Sequence, residues 1–341
     1  SGLSKHYKPE DTYAGNLLGT LEALDSGITT MLDWSHNLNT PEHADAAVAG
    51  LRDSGARAVF AHGGGAPQWQ VLPNPVVHPD DAKRVREQHF SSDDGLVTMA
   101  LALRGPQFTT PEVSVADWQL AEELDLRITV HVGDGELGKT RPIEWLRGQG
   151  LLNARTTYVH CNTLGDDELK MIADSGGTAS VSSDVEMQMG HGWPATGRLL
   201  EVGVRPSLSI DVLTSTSSSM FSLMRTTLGT QRAIDNAARD AAGGTLSNGE
   251  LIELTCRDVI EFATIEGARA CELDAKIGSL TPGKEADVIV VRADSLSMSP
   301  LNNPYGAVVY NAHSGMVDTV LVQGKVVKRG GVLLGVDVPR I

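Results

Sequence analysis

The sequence is poor in the features that would place a protein outside the cell or in a membrane. It has three cysteines, Cys161, Cys256 and Cys271, with no CxxC pair. Such an odd, sparse set excludes a disulfide framework and reads as reduced thiols in a cytoplasmic protein. No apolar run approaches the roughly 18 residues that a membrane helix needs, and no signal peptide is visible, so no membrane partner is expected. A basic excess is also missing. The formal net charge is −15, the wrong sign for a nucleic-acid or anionic-membrane partner. The acidic residues are spread along the chain, which reads as solubility. There is no linker and no low-complexity segment. The run Gly63-Gly64-Gly65 lacks Walker or dinucleotide spacing and reads as a strand–helix connection. The chain opens on Ser1-Gly2 without an initiator Met, and the expectation is a cleaved, trimmed or incomplete product.

What is present is a long, ordinary folding sequence of 341 residues, 41% hydrophobic and 21% charged, enough for one large domain and a smaller one. Strand-like β-branched runs begin near residues 28, 56, 95, 127, 156, 178 and 207. Between them the 3.6-residue apolar pattern predicts helices over 9–25, 39–55, 80–90, 114–126, 142–150, 166–175 and 195–203, with another starting at 220. Strand and helix alternate in the manner of repeated βαβ units and a parallel sheet. The fold class is therefore α/β, a (β/α)₈ TIM-type barrel, with seven strands readable where closure needs eight. The element without a strand is the first. A seven-stranded open barrel leaves two unpaired edges, so an upstream segment, residues 1–8 or a partner chain is expected to fill the gap. From 248 the texture changes to helices over 248–264 and 267–273, then short alternating strands over 286–291, 317–322 and 325–328, a small β subdomain near the C-terminus. The barrel is assigned to 1–273 and the rest to 274–341.

Three of the barrel strands end in polar residues. The stretch RITVHVGD (127–134) delivers His131 and, three residues on, Asp134; TTYVHCN delivers His160; SLSIDV delivers Asp211. In a barrel, side chains at the carboxyl ends of strands converge on one pocket. Histidine and aspartate there suit metal binding or acid–base work. A divalent metal would lower the pKa of a bound water towards roughly 7, and a nearby carboxylate would carry the proton to a leaving nitrogen. Asp134 and Glu136 are the acids placed for that. Taken singly, each residue has a plainer reading: a strand-end histidine is often only hydrogen-bonded structure, and Asp211 could cap the next helix. Cys161 reads as a small buried hydrophobe. His36 (DWSHN) and His62 (FAHGGG) follow two earlier strands and are candidates for the substrate pocket or for replacement ligands. Met187, Met189, His191 and Trp193, in the segment 186–193, would overhang the mouth and suit a planar ring.

The motifs point further. TPGKEADVIVV (281–291), preceded by Ile277-Gly278-Ser279-Leu280, Ala263-Thr264 with Gly267-Ala268, the segment 213–225 with Met224-Arg225, and the terminal VDTVLVQGKVV (317–327) together resemble the amidohydrolase superfamily, in particular the branch holding cytosine deaminase, guanine deaminase and the triazine hydrolases. The resemblance covers nearly the whole chain. It implies a metal-dependent hydrolase of C–N bonds in a cyclic or heteroaromatic small molecule, a deaminase or cyclic amidohydrolase, with one divalent transition metal, zinc or iron, in a homo-oligomer. By position, His131 matches the family's ligand on its fifth strand. His160 matches the histidine beside the metal-bound water or substrate, and Asp211 matches the aspartate that is both ligand and proton acceptor. The metal candidates are thus His131, Asp211 and His160. Asp134 stands where the branch usually carries a glutamate, with Glu136 as its substitute. The family also carries a His-x-His pair on its first strand and builds the small β subdomain from both termini. None of the ten histidines here is two residues from another. A catalytic zinc site wants at least three protein ligands, so the alternative expectation is a catalytically silent or merely ligand-binding homologue.

Overall fold

The structure is a computed structural model and describes residues 3–244 and 254–337. Seven parallel strands, β1 (Thr30–Ser35), β2 (Arg57–His62), β3 (Val97–Leu103), β4 (Ile128–Val132), β5 (Thr156–His160), β6 (Thr178–Val181) and β7 (Ser207–Leu208), hydrogen-bond in sequence order into one curled sheet. Helix α1 (Pro9–Asp25) precedes β1, and helices α2 (Pro41–Ser54), α3 (Asp81–His89), α4 (Pro111–Glu123), α5 (Pro142–Gly148), α6 (Asp166–Ser175), α7 (Ser183–Met189), α8 (Thr196–Glu201) and α9 (Met220–Ala241) come after it; together they cover the sheet. Four strands, β8 (Val288–Val291), β9 (Val317–Val322), β10 (Lys325–Arg329) and β11 (Val332–Leu333), form a separate antiparallel sheet in the order β11-β10-β9-β8. This is the TIM-barrel-like α/β arrangement with a small β subdomain that the sequence predicts. β1 and β7 are the two ends of the seven-stranded sheet and do not pair with each other.

Local chemistry sets the element boundaries. α1, α2, α4 and α5 each carry proline at the first helical turn, where its missing N–H costs nothing. This is why α4 begins at Pro111, three residues before the apolar pattern suggests. α2 and α6 stop at Gly55 and Gly176, both left-handed, the conformation glycine adopts without a Cβ penalty. β7 is four residues shorter than expected: Asp211 has φ 65°, incompatible with an extended strand. The segment 186–193, expected as a loop, starts inside α7. The expected helix over 248–264 lies partly outside the described residues, and its described part starts at Cys256, capped by the Thr255 side chain.

Two-residue alternation along the strands sorts the side chains into two cores. Ala58, Phe60, Met99, Leu101, Ile128, Val130 and Val132 face the helices, whereas Val59, Ala61, Ala100 and Ala102 face inward. The inward residues are small, and the barrel bottom is plugged by Ala268, Leu273 and Ile277. The small sheet is pinned to the barrel by ion pairs. Arg57, buried at the start of β2, donates through Nε to Asp287 Oδ2 at 2.7 Å and also pairs with Glu285. Lys328 Nζ on β10 lies 2.9 Å from Asp25 Oδ1 at the end of α1.

Candidate active site

At the carboxyl end of the barrel the structure assembles a train of rings. On β1 the inward residue is Trp34, and its ring meets that of His131 edge-on, centroids 4.3 Å apart. His131 is 5.3 Å from His160, and His160 is 5.0 Å from His191. His36 lies 5.3 Å from Trp34, with its Nδ1 at 2.9 Å from the Trp34 carbonyl, and Trp69 closes the wall 6.0 Å from His36. His131, His160, His191 and His36, from four separate segments, thus share one cleft.

Asp211 stands at the mouth. Partial removal from water raises its carboxyl above the ordinary range, while the nearby His160, His191 and His36 pull the other way. Burial holds His131 well below the usual histidine value, and the neighbouring His160, His36 and His191 add to that, so its ring is neutral at pH 7. His160 goes the other way. Burial disfavours its charged form, but a hydrogen bond and the charge of Glu186, backed by Asp211 and Asp134, outweigh burial and raise its pKa. His160 and Cys161 hold φ of 77° and 62°. Together with Asp211 they are non-glycine residues in the left-handed region, each at a cost of about 1–2 kcal/mol; strain of this kind concentrates at functional sites.

The loop after β4 is tightly held. Gln107 accepts from the Gly133 N–H at 2.7 Å and donates to Asp134 Oδ1 at 2.6 Å. Thr163 Oγ1 donates to the Gly133 and Gly135 carbonyls at 2.9 and 2.6 Å. The Gly135 N–H donates to the His191 carbonyl at 2.9 Å, tying Asp134's loop to His191's. Asp134 is therefore fixed beside the cleft. Glu136 is not brought there: its carboxylate is solvent-exposed and pairs with Lys139 at 2.7 Å. His62 is not brought there either. In β2 it has the parity of Phe60, so it faces the helices, where Nδ1 meets His78 Nε2 at 3.0 Å and Nε2 lies 3.7 Å from Asp81. Trp193 is 66% exposed at the rim, its carbonyl accepting from Asn162 Nδ2 at 3.0 Å.

The sequence reading missed Gln107, Asn162 and the role of Glu186. Glu186 is fully buried on α7 and lies 3.2 Å from His160 Nδ1. The one local signal is that an acid with Val185 beside it could belong to a helix; nothing in the sequence marks it as facing inward.

The donors in the cleft bear on whether a resident metal fits. His131 Nδ1 is buried without a hydrogen-bond partner, as an unmet ligand position would be. Yet among the described residues no three His, Cys, Asp or Glu side chains stand close enough to hold one ion. The residues present fit part of a metal site and not a whole one.

Comparison with known proteins agrees with this architecture. The family model described as "Amidohydrolase family" matches residues 3–327. The chain belongs to the amidohydrolase family. It is a hydrolase-type enzyme by that membership, and this amidohydrolase is similar to curated deaminases. It is 29% identical to 5'-deoxyadenosine deaminase of Methanothermobacter thermautotrophicus, over 94% of this chain and 72% of the relative. It is 26% identical to 5-methylthioadenosine/S-adenosylhomocysteine deaminase of Symbiobacterium thermophilum, over 93% and 71%. Its fold matches a zinc-bound adenosine deaminase from Xanthomonas campestris at TM-score 0.83 and 22% identity, covering 99% of this chain and 74% of that one. It also matches an atrazine chlorohydrolase mutant from Arthrobacter aurescens TC1 complexed with zinc and atraton, at TM-score 0.83 and 20% identity, covering 99% and 77%. Among the described residues no helix is long and apolar enough to cross a membrane.

Proposed function

We propose that this amidohydrolase removes an exocyclic amino group from a small heteroaromatic substrate by hydrolysis, an aminated purine such as an adenosine derivative being the first candidate. The observation that carries the reading is the convergence of Trp34, His131, His160 and His191, at successive centroid distances of 4.3, 5.3 and 5.0 Å, beside the Asp211 carboxyl. Relatives named as deaminases of adenosine derivatives support the substrate class. The aromatic faces of Trp34 and Trp69 suit a planar ring.

In this reading water adds to the ring carbon that bears the amino group. Asp211 takes a proton from that water, and Asp134, held by Gln107, returns one to the leaving nitrogen. His160, held at its Nδ1 by Glu186, presents its other nitrogen as the hydrogen-bond acceptor that orients the attacking water. Amine and water become the oxo ring and ammonia. A divalent transition metal, zinc or iron, would have His131 and Asp211 among its ligands and would supply a water nucleophile at neutral pH.

A second reading has one observation in its favour. With no three-donor group among the described residues, the fold would bind a ring without turning it over. Elemental analysis and an ammonia assay of zinc- or iron-supplemented protein separate the two. Bound metal near one per chain with ammonia release from an aminated heterocycle supports the hydrolase. Ring binding without ammonia or metal supports the silent homologue.

A further inference from the structure

Glu186 takes no part in the chemistry above, yet it is the most completely enclosed acid at the cleft. Its side chain has no solvent exposure, and its only ion-pair contact among the described residues is with His160. Oε1 accepts from the Ser182 backbone N–H at 2.7 Å and lies 3.2 Å from His160 Nδ1; Oε2 accepts from Asn162 Nδ2 at 3.2 Å. Its backbone carbonyl accepts from the His191 N–H at 2.9 Å. Arg198, which reaches the loop after β5, is spent on the Asn162 and Leu164 carbonyls and on Asp166. Burying a carboxylate away from any permanent cation is costly. Holding the Ser182 amide alone would not require it, because a neutral amide side chain accepts the same bond.

We propose that Glu186 is the positioning residue of His160. It holds the ring in the tautomer with the proton on Nδ1 and so presents Nε2 to the substrate. The inference rests on the reading of this cleft as the deamination site. The reason is the donor–acceptor count. A carboxylate only accepts, so the nitrogen facing it carries the hydrogen, and the opposite nitrogen is the one left for chemistry. The same carboxylate reaches Ser182 at the end of β6 and Asn162 two residues after His160. It therefore fixes the ring against both strand ends at a backbone that is left-handed at His160 and Cys161. A free imidazole in that position would have two tautomers and a choice of rotamers; beside Glu186 it has one.

Histidine-selective ¹⁵N NMR on the folded protein tests this, with steady-state deamination by wild type, Glu186→Gln and Glu186→Ala. His160→Asn assigns the His160 signals by their disappearance. Wild-type His160 is expected to carry hydrogen on Nδ1, and in Glu186→Ala its signals move to the Nε2–H form or to an average of the two. Glu186→Gln is expected to lower kcat by about 10- to 100-fold with KM nearly unchanged, the size of effect seen when an outer partner of a functional histidine is removed. A wild-type His160 protonated on Nε2, an unmoved tautomer in folded Glu186→Ala, or an unchanged kcat in folded Glu186→Gln overturns the proposal. If Glu186→Ala does not fold, the wild-type spectrum and Glu186→Gln still decide. The tautomer is read without turnover, so a protein that deaminates nothing refutes the function while leaving the positioning to be judged by the spectrum.

Discussion

Asp211, the proposed proton acceptor, holds an unusual backbone angle. With φ 65° it occupies a region that glycine enters freely and that costs other residues about 1–2 kcal/mol. Asp211→Gly should therefore raise stability, by about 0.5–1 kcal/mol in a urea titration, while abolishing deamination. A loss of stability would show that the angle is not strained. Asp117 makes a second residue-scale case. It is buried on α4, and its Oδ1 accepts from the His78 N–H at 2.8 Å. Burial raises its carboxyl to about 6, against the lowering effect of that bond and of Arg104. Because the folded-state pKa lies above the unfolded one, the folded chain holds this proton more tightly. The stability this gives is present at low pH and lost as pH rises from about 4 through about 6. Asp117→Asn keeps the carbonyl acceptor and removes the charge. It should stabilise the protein by about 2 kcal/mol at pH 8 and hardly at all at pH 4, as read from denaturation midpoints at the two pH values.

At the scale of elements, the β4–β5 join depends on one glycine. Gly133, φ 79°, sits between His131 and Asp134, and a Cβ there would lie 2.9 Å from the Cα of Cys161 and from Leu164 Cγ. Gly133→Ala should cost about 2–4 kcal/mol, combining left-handed strain with overpacking, measurable as a lowered urea midpoint. Elements were legible where a local signal sets them. α1 spans Pro9–Asp25 because Pro9 starts it, leucines at 17, 21 and 24 give it a buried face, and Gly27, at φ 92°, ends the helix. The ends of β4 and β5, and with them His131 and His160, were legible from their β-branched runs. The early end of β7 was not, since nothing local in SLSIDV announces that Asp211 leaves the extended region. His62 could have been placed correctly from alternation alone, because Phe60 and His62 share a face and Ala61 holds the other. Glu186 could not. Its burial depends on His160, Asn162 and Ser182 meeting around it, and the contacts to the first two span more than twenty residues of sequence.

For the whole molecule, two sheets of opposite type must hold one orientation, and buried charge does part of that work. Arg57 is 2% exposed and grips Asp287, which in turn accepts from the Gln323 N–H at 2.7 Å in the turn between β9 and β10. Arg57→Leu leaves Asp287 buried without its cation and should cost about 3–5 kcal/mol, read as a fall in the thermal or urea midpoint. The same unity bears on function, because the cleft is assembled from β1, β4, β5, the loop after α7 and the segment after β7, and no single unit of it carries the chemistry. The proposed chemistry is hydrolytic deamination with Asp211 as proton acceptor. The most direct test is ammonia release from a panel of aminated purines, pyrimidines and triazines, by the protein and by Asp211→Asn, with zinc or iron supplied. Ammonia equal to substrate consumed is expected for at least one aminated ring, with a rate at least about 100-fold lower for Asp211→Asn. Equal rates for the two proteins, or no ammonia from any ring, would contradict it.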